Sequence, residues 1–162
     1  MLTPVLRAAV PADAARVAEV FLQARAAFMS YAPPAHGEEE VRAWVRERLL
    51  PAGGTTVAEV LGRIVGFVSV TRGPSHGWID QLYVEPRFVG QRVGTALLVH
   101  ALKALPRPVR LHVFQANGGA RRFYERHGFV PVAFTDGADN EERCPDVLYE
   151  LTASNASERV GS

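Results

Sequence analysis

Cysteine is nearly absent from this sequence: Cys144 is the only one. A lone thiol excludes an intramolecular disulfide framework and a cysteine-built metal cluster, and it suits a reducing cytosol. Lysine is as scarce, with Lys103 the single example among 18 basic residues, and the arginines are spread along the chain instead of forming an arm or stripe. With a formal net charge of +1, that distribution speaks against a nucleic-acid partner. Long apolar runs are missing as well. No stretch approaches the roughly 18 consecutive apolar residues of a membrane span, and residues 1–13 hold Arg7 and Asp13 with no run of signal-peptide length. A soluble cytoplasmic protein without a membrane partner is expected. No His, Cys and Asp cluster shows metal-ligand spacing, so no metal is expected either.

What the chain does have is 162 residues, 48 % of them apolar, enough to bury one core without covalent help. Residues 1–152 read as a single domain and the polar 153–162 as a disordered tail. The Ala-, Arg- and Val-rich composition suits a high-GC bacterial source.

Hydrophobic periodicity orders the elements. Residues 5–9 form a short strand. Pro11 and Asp13 open a helix whose apolar positions Val17, Val20, Phe21, Ala24 and Phe28 recur at helical spacing. A second helix starts at Glu38, behind three consecutive carboxylates, and carries Val41, Trp44, Val45 and Leu49. Three antiparallel strands are expected at 55–61, 64–71 and 78–84, because Gly62-Arg63 and Gly73 to Gly77 supply turns. A helix over 94–105 ends at Pro106, a strand follows at 109–114, and a shorter helix over 117–127 stops at Gly128. Strands at 129–135 and 147–151 flank a polar loop, 136–145. This order describes a mixed α/β domain.

The junction from Leu82 to Leu98 is the most informative stretch. A strand ends at Pro86, a loop carries Gly90 and Gly94, and a helix begins at once. Glycines let the backbone approach a ligand, and the first amides of a helix lack intrahelical acceptors, so such a junction offers donors and a positive dipole end to a pyrophosphate. On the loop alone, an ordinary chain connection is an equal reading.

The stretch resembles the main signature of the GCN5-related N-acetyltransferases, Val-x-Pro followed by Arg/Gln-x-x-Gly-x-Gly/Ala, whose loop amides hold the pyrophosphate of coenzyme A. With Pro86 setting the register, Val89 stands at the Arg/Gln position, Gly90 and Gln91 fill the variable pair, Arg92 replaces the middle glycine and Gly94 is the last. Val89 and Arg92 depart from the pattern. A shift by two residues matches 91–96 literally but lies too far from Pro86. Arg92 is either an added phosphate contact or a solvated charge. Asn117, Ala120, Phe123, Tyr124, Gly128 and Phe129 match the family's other motif, Asn-x-x-Ala-x-x-Phe-Tyr-x-x-x-Gly-Phe. The resemblance extends to Leu6-Arg7-Ala8-Ala9 and to the hairpin Arg63-Ile64-Val65-Gly66-Phe67.

The resemblance implies a central, mostly antiparallel sheet of six to seven strands with a V-shaped splay, flanked by four helices, and acetyl-CoA as co-substrate. It implies that the main chain at Leu82, Tyr83 and Val84 orients the thioester. The loop Val89, Gly90, Gln91, Arg92, Val93, Gly94 and Thr95 would hold the pyrophosphate, and Asn117 the pantetheine arm. Tyr124 would give its proton to the leaving thiolate, and the acceptor would be a primary amine, on a small molecule or a protein, attacking directly with no acyl carried on Cys144. Asp80 is the candidate base, with His76 nearby, on the reading that it shares a strand face with Leu82 and Val84 while Tyr83 points away; the plainer reading is a hydrogen-bonded strand carboxylate. His112 reads as a packed or surface histidine. Acceptor recognition is expected from 31–40 and 135–142, whose carboxylates either attract a cationic amine or are solvated turn acids. The alternative function is a CoA-binding regulatory module without turnover. Family members are often homodimers; this sequence marks no subunit interface.

Overall fold

A computed structural model of the chain describes residues 3–30, 32 and 35–152. The expected tail, 153–162, and Tyr31, Pro33 and Pro34 of the first acceptor segment lie outside the described residues. The elements run β1 (Val5–Ala8), α1 (Ala14–Phe28), α2 (Glu38–Trp44), β2 (Thr55–Val60), β3 (Arg63–Arg72), β4 (Gly77–Val84), α3 (Val93–Ala104), β5 (Val109–Phe114), α4 (Gly118–Arg126), β6 (Val130–Phe134) and β7 (Asp146–Leu151). A 3-10 turn, Pro11–Asp13, leads into α1, and a π turn, Val45–Leu49, continues α2. The order expected from periodicity holds throughout, with boundaries moved by a few residues at most.

Seven strands form one sheet in the order β1-β2-β3-β4-β5-β7-β6. Every pair is antiparallel except β4 with β5. Helices cover both faces. Leu97, Leu98 and Ala101 of α3 and Tyr124 of α4 pack with Val68, Ile79, Leu111 and Tyr149 in one core. On the other face Val17 and Val20 of α1 and Val41 of α2 close over Val57, Ile64 and Phe67. Of the apolar stripe of α1, Val17, Val20 and Ala24 are buried as expected and Phe21 is half-buried, while Phe28, in its last turn, is 43 % exposed and lines a cleft instead.

The start of α1 is fixed more firmly than its dipole requires. Asp13 is buried, accepts the Val10 amide at 2.8 Å and pairs with Arg7 of β1 at 2.7 and 3.0 Å. Arg7 bonds Glu59 of β2 as well, so the first helix is registered against the sheet edge from which it departs. The opposite edge, β6, is exposed at every position; Pro131 and an irregularity before Ala133 interrupt its ladder with β7, which blunts it against further strand pairing.

Candidate active site

The parallel pair β4–β5 is very short. Gly77 faces Val109 and Trp78 faces Arg110, and the Gly77 amide donates to the Pro108 carbonyl at 3.0 Å. Beyond that point the strands part, and a cleft of about 940 Å³ opens between 79–84 and 111–114. Pairing on the other edge of β4 decides which main-chain groups face it. The Glu85 amide donates to the Val65 carbonyl at 2.7 Å, and Val84 lies opposite Gly66. Successive amides of a strand point to opposite edges, so those of Leu82 and Val84 turn away from β3 into the gap, where no strand meets them. The main chain of Tyr83 faces β3. Of the three residues expected to present backbone to a thioester, the geometry suits Leu82 and Val84.

One end of the cleft is built from backbone. After β4, Glu85 is buried, its carboxylate held by Arg16 of α1 and by Arg87 at 2.5 and 2.7 Å. Burial alone would raise its pKa, but Arg87 and Arg16 outweigh that and hold the carboxyl below the usual range. This knot pins the 3-10 turn Pro86–Phe88 and so sets where the loop departs. Gly90 turns it with φ +85°. Arg92 then takes φ +68° as N-cap of α3, a left-handed conformation that glycine adopts freely and that costs a side-chain-bearing residue about 1–2 kcal/mol. The backbone thus behaves as if a glycine stood there, in line with the register set by Pro86. The first bond of the α3 ladder runs from the Ala96 amide to the Arg92 carbonyl at 3.0 Å, so the amides of Val93, Gly94 and Thr95 precede it.

Gly90, Arg92, Gly94 and Thr95 line the cleft, together with Val89. Two expected members do not. The exposed Gln91 turns its side-chain amide back to the Arg87 carbonyl at 3.0 Å, and the Val93 side chain is buried in the core beneath, leaving only its amide at the helix start. At Gly94 a Cβ would meet Phe123 and Val84 no closer than 3.6 Å, ordinary contact, so packing does not demand glycine there. Asn117 caps α4, accepting the Ala120 amide at 3.2 Å, and lines the cleft.

Tyr124 projects from α4 between the rings of Phe123 and Phe129, at 5.1 and 5.6 Å. It is 7 % exposed, and its hydroxyl has no hydrogen-bond partner among the described residues. Burial, with Tyr83 nearby, pushes this phenol well above its ordinary range. The group therefore stays protonated across physiological pH and keeps a proton to offer into the cleft.

The expectation for Asp80 needs correcting. Gln81 faces Ser69 while Ile79 faces Val70, so Asp80 is the extra residue of a bulge and strand alternation breaks there. Its carboxylate accepts the Thr71 hydroxyl at 2.5 Å, and Thr71 alternates with Phe67 on the face of α1 and α2. Asp80 is thus on the Tyr83 side, opposite Leu82 and Val84. It lines the cleft, and partial burial raises its pKa, offset in part by Thr71. His76 is not on the cleft wall; it meets the edge of Trp78. His112 is on the wall, exposed and stacked on Trp78 at 5.6 Å, in line with the reading of a packed or surface histidine.

The other end of the cleft is built from side chains. Gly137, with φ +82°, lets the β6–β7 loop fold back so tightly that a Cβ would lie 2.3 Å from the Cys144 carbonyl carbon. Asn140 locks the fold, donating to the Cys144 carbonyl at 2.6 Å and accepting its amide at 3.0 Å. Cys144 is buried. The loop brings Asp136, Asp139 and Glu142 to the cleft, opposite Arg25, Phe28 and Met29 of the α1 end. Glu141 reaches His36, which also meets Glu40, at 3.2 and 2.9 Å; both carboxylates raise the pKa of this imidazole, Glu40 the more. Arg25 and Glu85 were not anticipated. A Phe21-to-Arg25 spacing on one helix face and the Glu85–Arg87 pair flanking Pro86 were the signals available. Among the described residues no group of three or more His, Cys, Asp or Glu is placed to hold a metal ion, and no helix is long and apolar enough to cross a membrane.

Comparison with known proteins agrees with this architecture. No curated protein sequence matches the chain. The apo-form of YjaB from Escherichia coli superposes with a TM-score of 0.75 at 21 % identity, over 93 % of this chain and 98 % of that one. A GCN5-related N-acetyltransferase from Rhodopseudomonas palustris gives 0.73 at 24 % identity, over 94 % and 98 %. The PaiA N-acetyltransferase of Thermoplasma acidophilum, in complex with coenzyme A, gives 0.71 at 18 % identity, over 93 % and 99 %. At these identities the likeness is one of fold. The model of the GNAT acetyltransferase family matches residues 21–129, from α1 through the splayed strands to the end of the second motif, and the chain belongs to that family.

Proposed function

We propose that the protein transfers an acetyl group from acetyl-CoA to a primary amine by direct attack within a ternary complex. The observation that carries this reading is the opening of β4 from β5 around a buried phenol with no hydrogen-bond partner among the described residues, with helix-start amides at one end of the same cleft. Acetyl-CoA supplies an activated thioester. The amides of Val93, Gly94 and Thr95 are placed to receive its pyrophosphate. The amides of Leu82 and Val84 offer donors along the inserted arm, and that of Val84 is the candidate to stabilise negative charge building on the thioester oxygen. Asp80 takes the proton of the attacking amine, directly or through water, and Tyr124 protonates the departing sulfur. The C–N bond forms as the C–S bond breaks, and the two proton transfers balance the charge.

Carboxylates outnumber arginine around the acceptor end, where Asp80, Asp136, Asp139 and Glu142 face Arg25. This supports an acceptor that arrives as a cation and gives one proton to solvent before it attacks as the neutral amine. Calorimetry with acetyl-CoA, followed by free-thiol release across an amine panel, tests the proposal. Binding together with amine-dependent thiol release is expected. Binding without release on any amine would make the protein a CoA-binding module, and no binding would remove both readings.

A further inference from the structure

Because β4 and β5 part at the cleft, neither strand braces the other there. A tie between the two arms has to come from outside the sheet, and a single side chain of α1 provides one. The Arg25 guanidinium sits over the Phe21 ring of its own helix at 5.4 Å and over the Phe114 ring of β5 at 5.8 Å. It donates to the Tyr83 hydroxyl of β4 at 3.2 Å and to Glu142 of the β6–β7 loop at 3.4 Å. One residue thus touches both arms of the V and the loop that closes its acceptor end. Its own exposure is modest, as is that of Glu142, with side chains 20 % and 19 % accessible, so solvent screens the pair less than it would a surface contact.

We propose that Arg25 is a positioning residue for acceptor binding, holding Tyr83, Phe114 and the β6–β7 loop in one arrangement around the incoming amine. Hydrogen-bond direction adds content to this role. A guanidinium only donates, so the Tyr83 oxygen accepts and its own proton remains available to the cleft. The bulge at Asp80 puts that carboxylate on the same strand face as Tyr83, so the hydroxyl that Arg25 fixes and the candidate base line one cleft from the same side of β4. Arginine is required because lysine cannot serve two acceptors in a fixed fork while stacking on rings.

The kinetic arm of the test rests on the proposed transfer reaction; the exchange arm does not. In Arg25→Gln, amide exchange over 136–142 should rise about tenfold, while that over 89–95 is unchanged. With n-butylamine and 1,4-diaminobutane as acceptors, KM for the amine should rise about tenfold, with kcat altered less and the acetyl-CoA Kd unaltered. Arg25→Lys should recover part of the loop protection and little of the acceptor KM. Glu142→Gln, which leaves the core untouched, should loosen the loop alone and be non-additive with Arg25→Gln. Unchanged loop exchange in both Arg25→Gln and Glu142→Gln overturns the proposal. So does an acetyl-CoA Kd that rises in step with the amine KM. If the native protein turns over neither amine nor any other of a panel, the transfer reaction is what fails, and the exchange arm still decides the role of Arg25.

Discussion

The two ends of the cleft are made of different material. At the α3 end the groups offered to a ligand are backbone amides, placed by a strand end, a turn at Gly90 and a helix start. At the α1 end they are side chains drawn from α1, β4, β5 and the β6–β7 loop. Backbone donors do not depend on which side chains accompany them, so the first end should tolerate Val89 and Arg92 where the family pattern has other residues. The second end should have no such tolerance, because the roles proposed for Asp80, Arg25 and Glu142 depend on the groups they carry. The first end should therefore be forgiving of substitution and common to relatives that share the fold, and the second sensitive and particular to this chain.

Substitutions at each end separate these behaviours, and the largest effect is expected between them. Tyr124→Phe should lower turnover about 100-fold, the lower range for loss of a general acid, while calorimetry finds the acetyl-CoA affinity nearly unchanged; unaltered turnover would remove Tyr124 from the mechanism. Asp80→Asn should cost about tenfold or more in kcat/KM and change the pH profile. Because the Asp80 pKa is raised, the native acid limb should lie above the ordinary aspartate value, with activity gained as pH rises through it. The variant should lose that limb and keep only the one belonging to the amine.

Smaller effects are expected where backbone is held instead of chemistry performed. Glu85→Gln should cost about 1–3 kcal/mol in urea unfolding, since Arg16 and Arg87 lose a buried partner. The Glu85 pKa is depressed in the folded state. Its contribution should thus be present above the ordinary glutamate value and be lost as pH falls through the lower folded value; a variant with the same acid sensitivity as the native protein would contradict the assignment. The smallest change is expected of Arg92→Gly. Relief of the left-handed conformation should leave stability equal or raised by up to about 1 kcal/mol. A weaker acetyl-CoA affinity in that variant would mark the guanidinium as a phosphate contact, and an unchanged one as a solvated charge.

The same division explains what could be read from sequence. The order of elements was legible because each has a clean period and clear punctuation: Pro106 and Pro108 after α3, Gly128 after α4, turns at Gly62 and Gly73. The backbone end was legible because its geometry is local, spanning fewer than about twenty residues of strand, loop and helix. Asp80 shows where that reasoning stops. Alternation assigned it a face, but the extra residue that breaks alternation is visible only when β4 is paired with β3. The role of Arg25 was hidden for a related reason: its helix-face spacing from Phe21 was visible, but its partners Tyr83, Phe114 and Glu142 are far apart in sequence and meet only through the fold. Gln91 and Val93 show the limit of a motif, which counts positions in a loop without saying which side chains turn inward.

The main-chain account of the cleft can be tested directly by residue-resolved amide exchange with and without acetyl-CoA. The geometry predicts new protection at Leu82, Val84, Val93, Gly94 and Thr95, where amides face the gap or precede the helix ladder, and little change at Tyr83, already bonded toward β3. Protection confined to side-chain-rich segments such as 136–142, with Val84 and 93–95 exchanging as in the free protein, would contradict it.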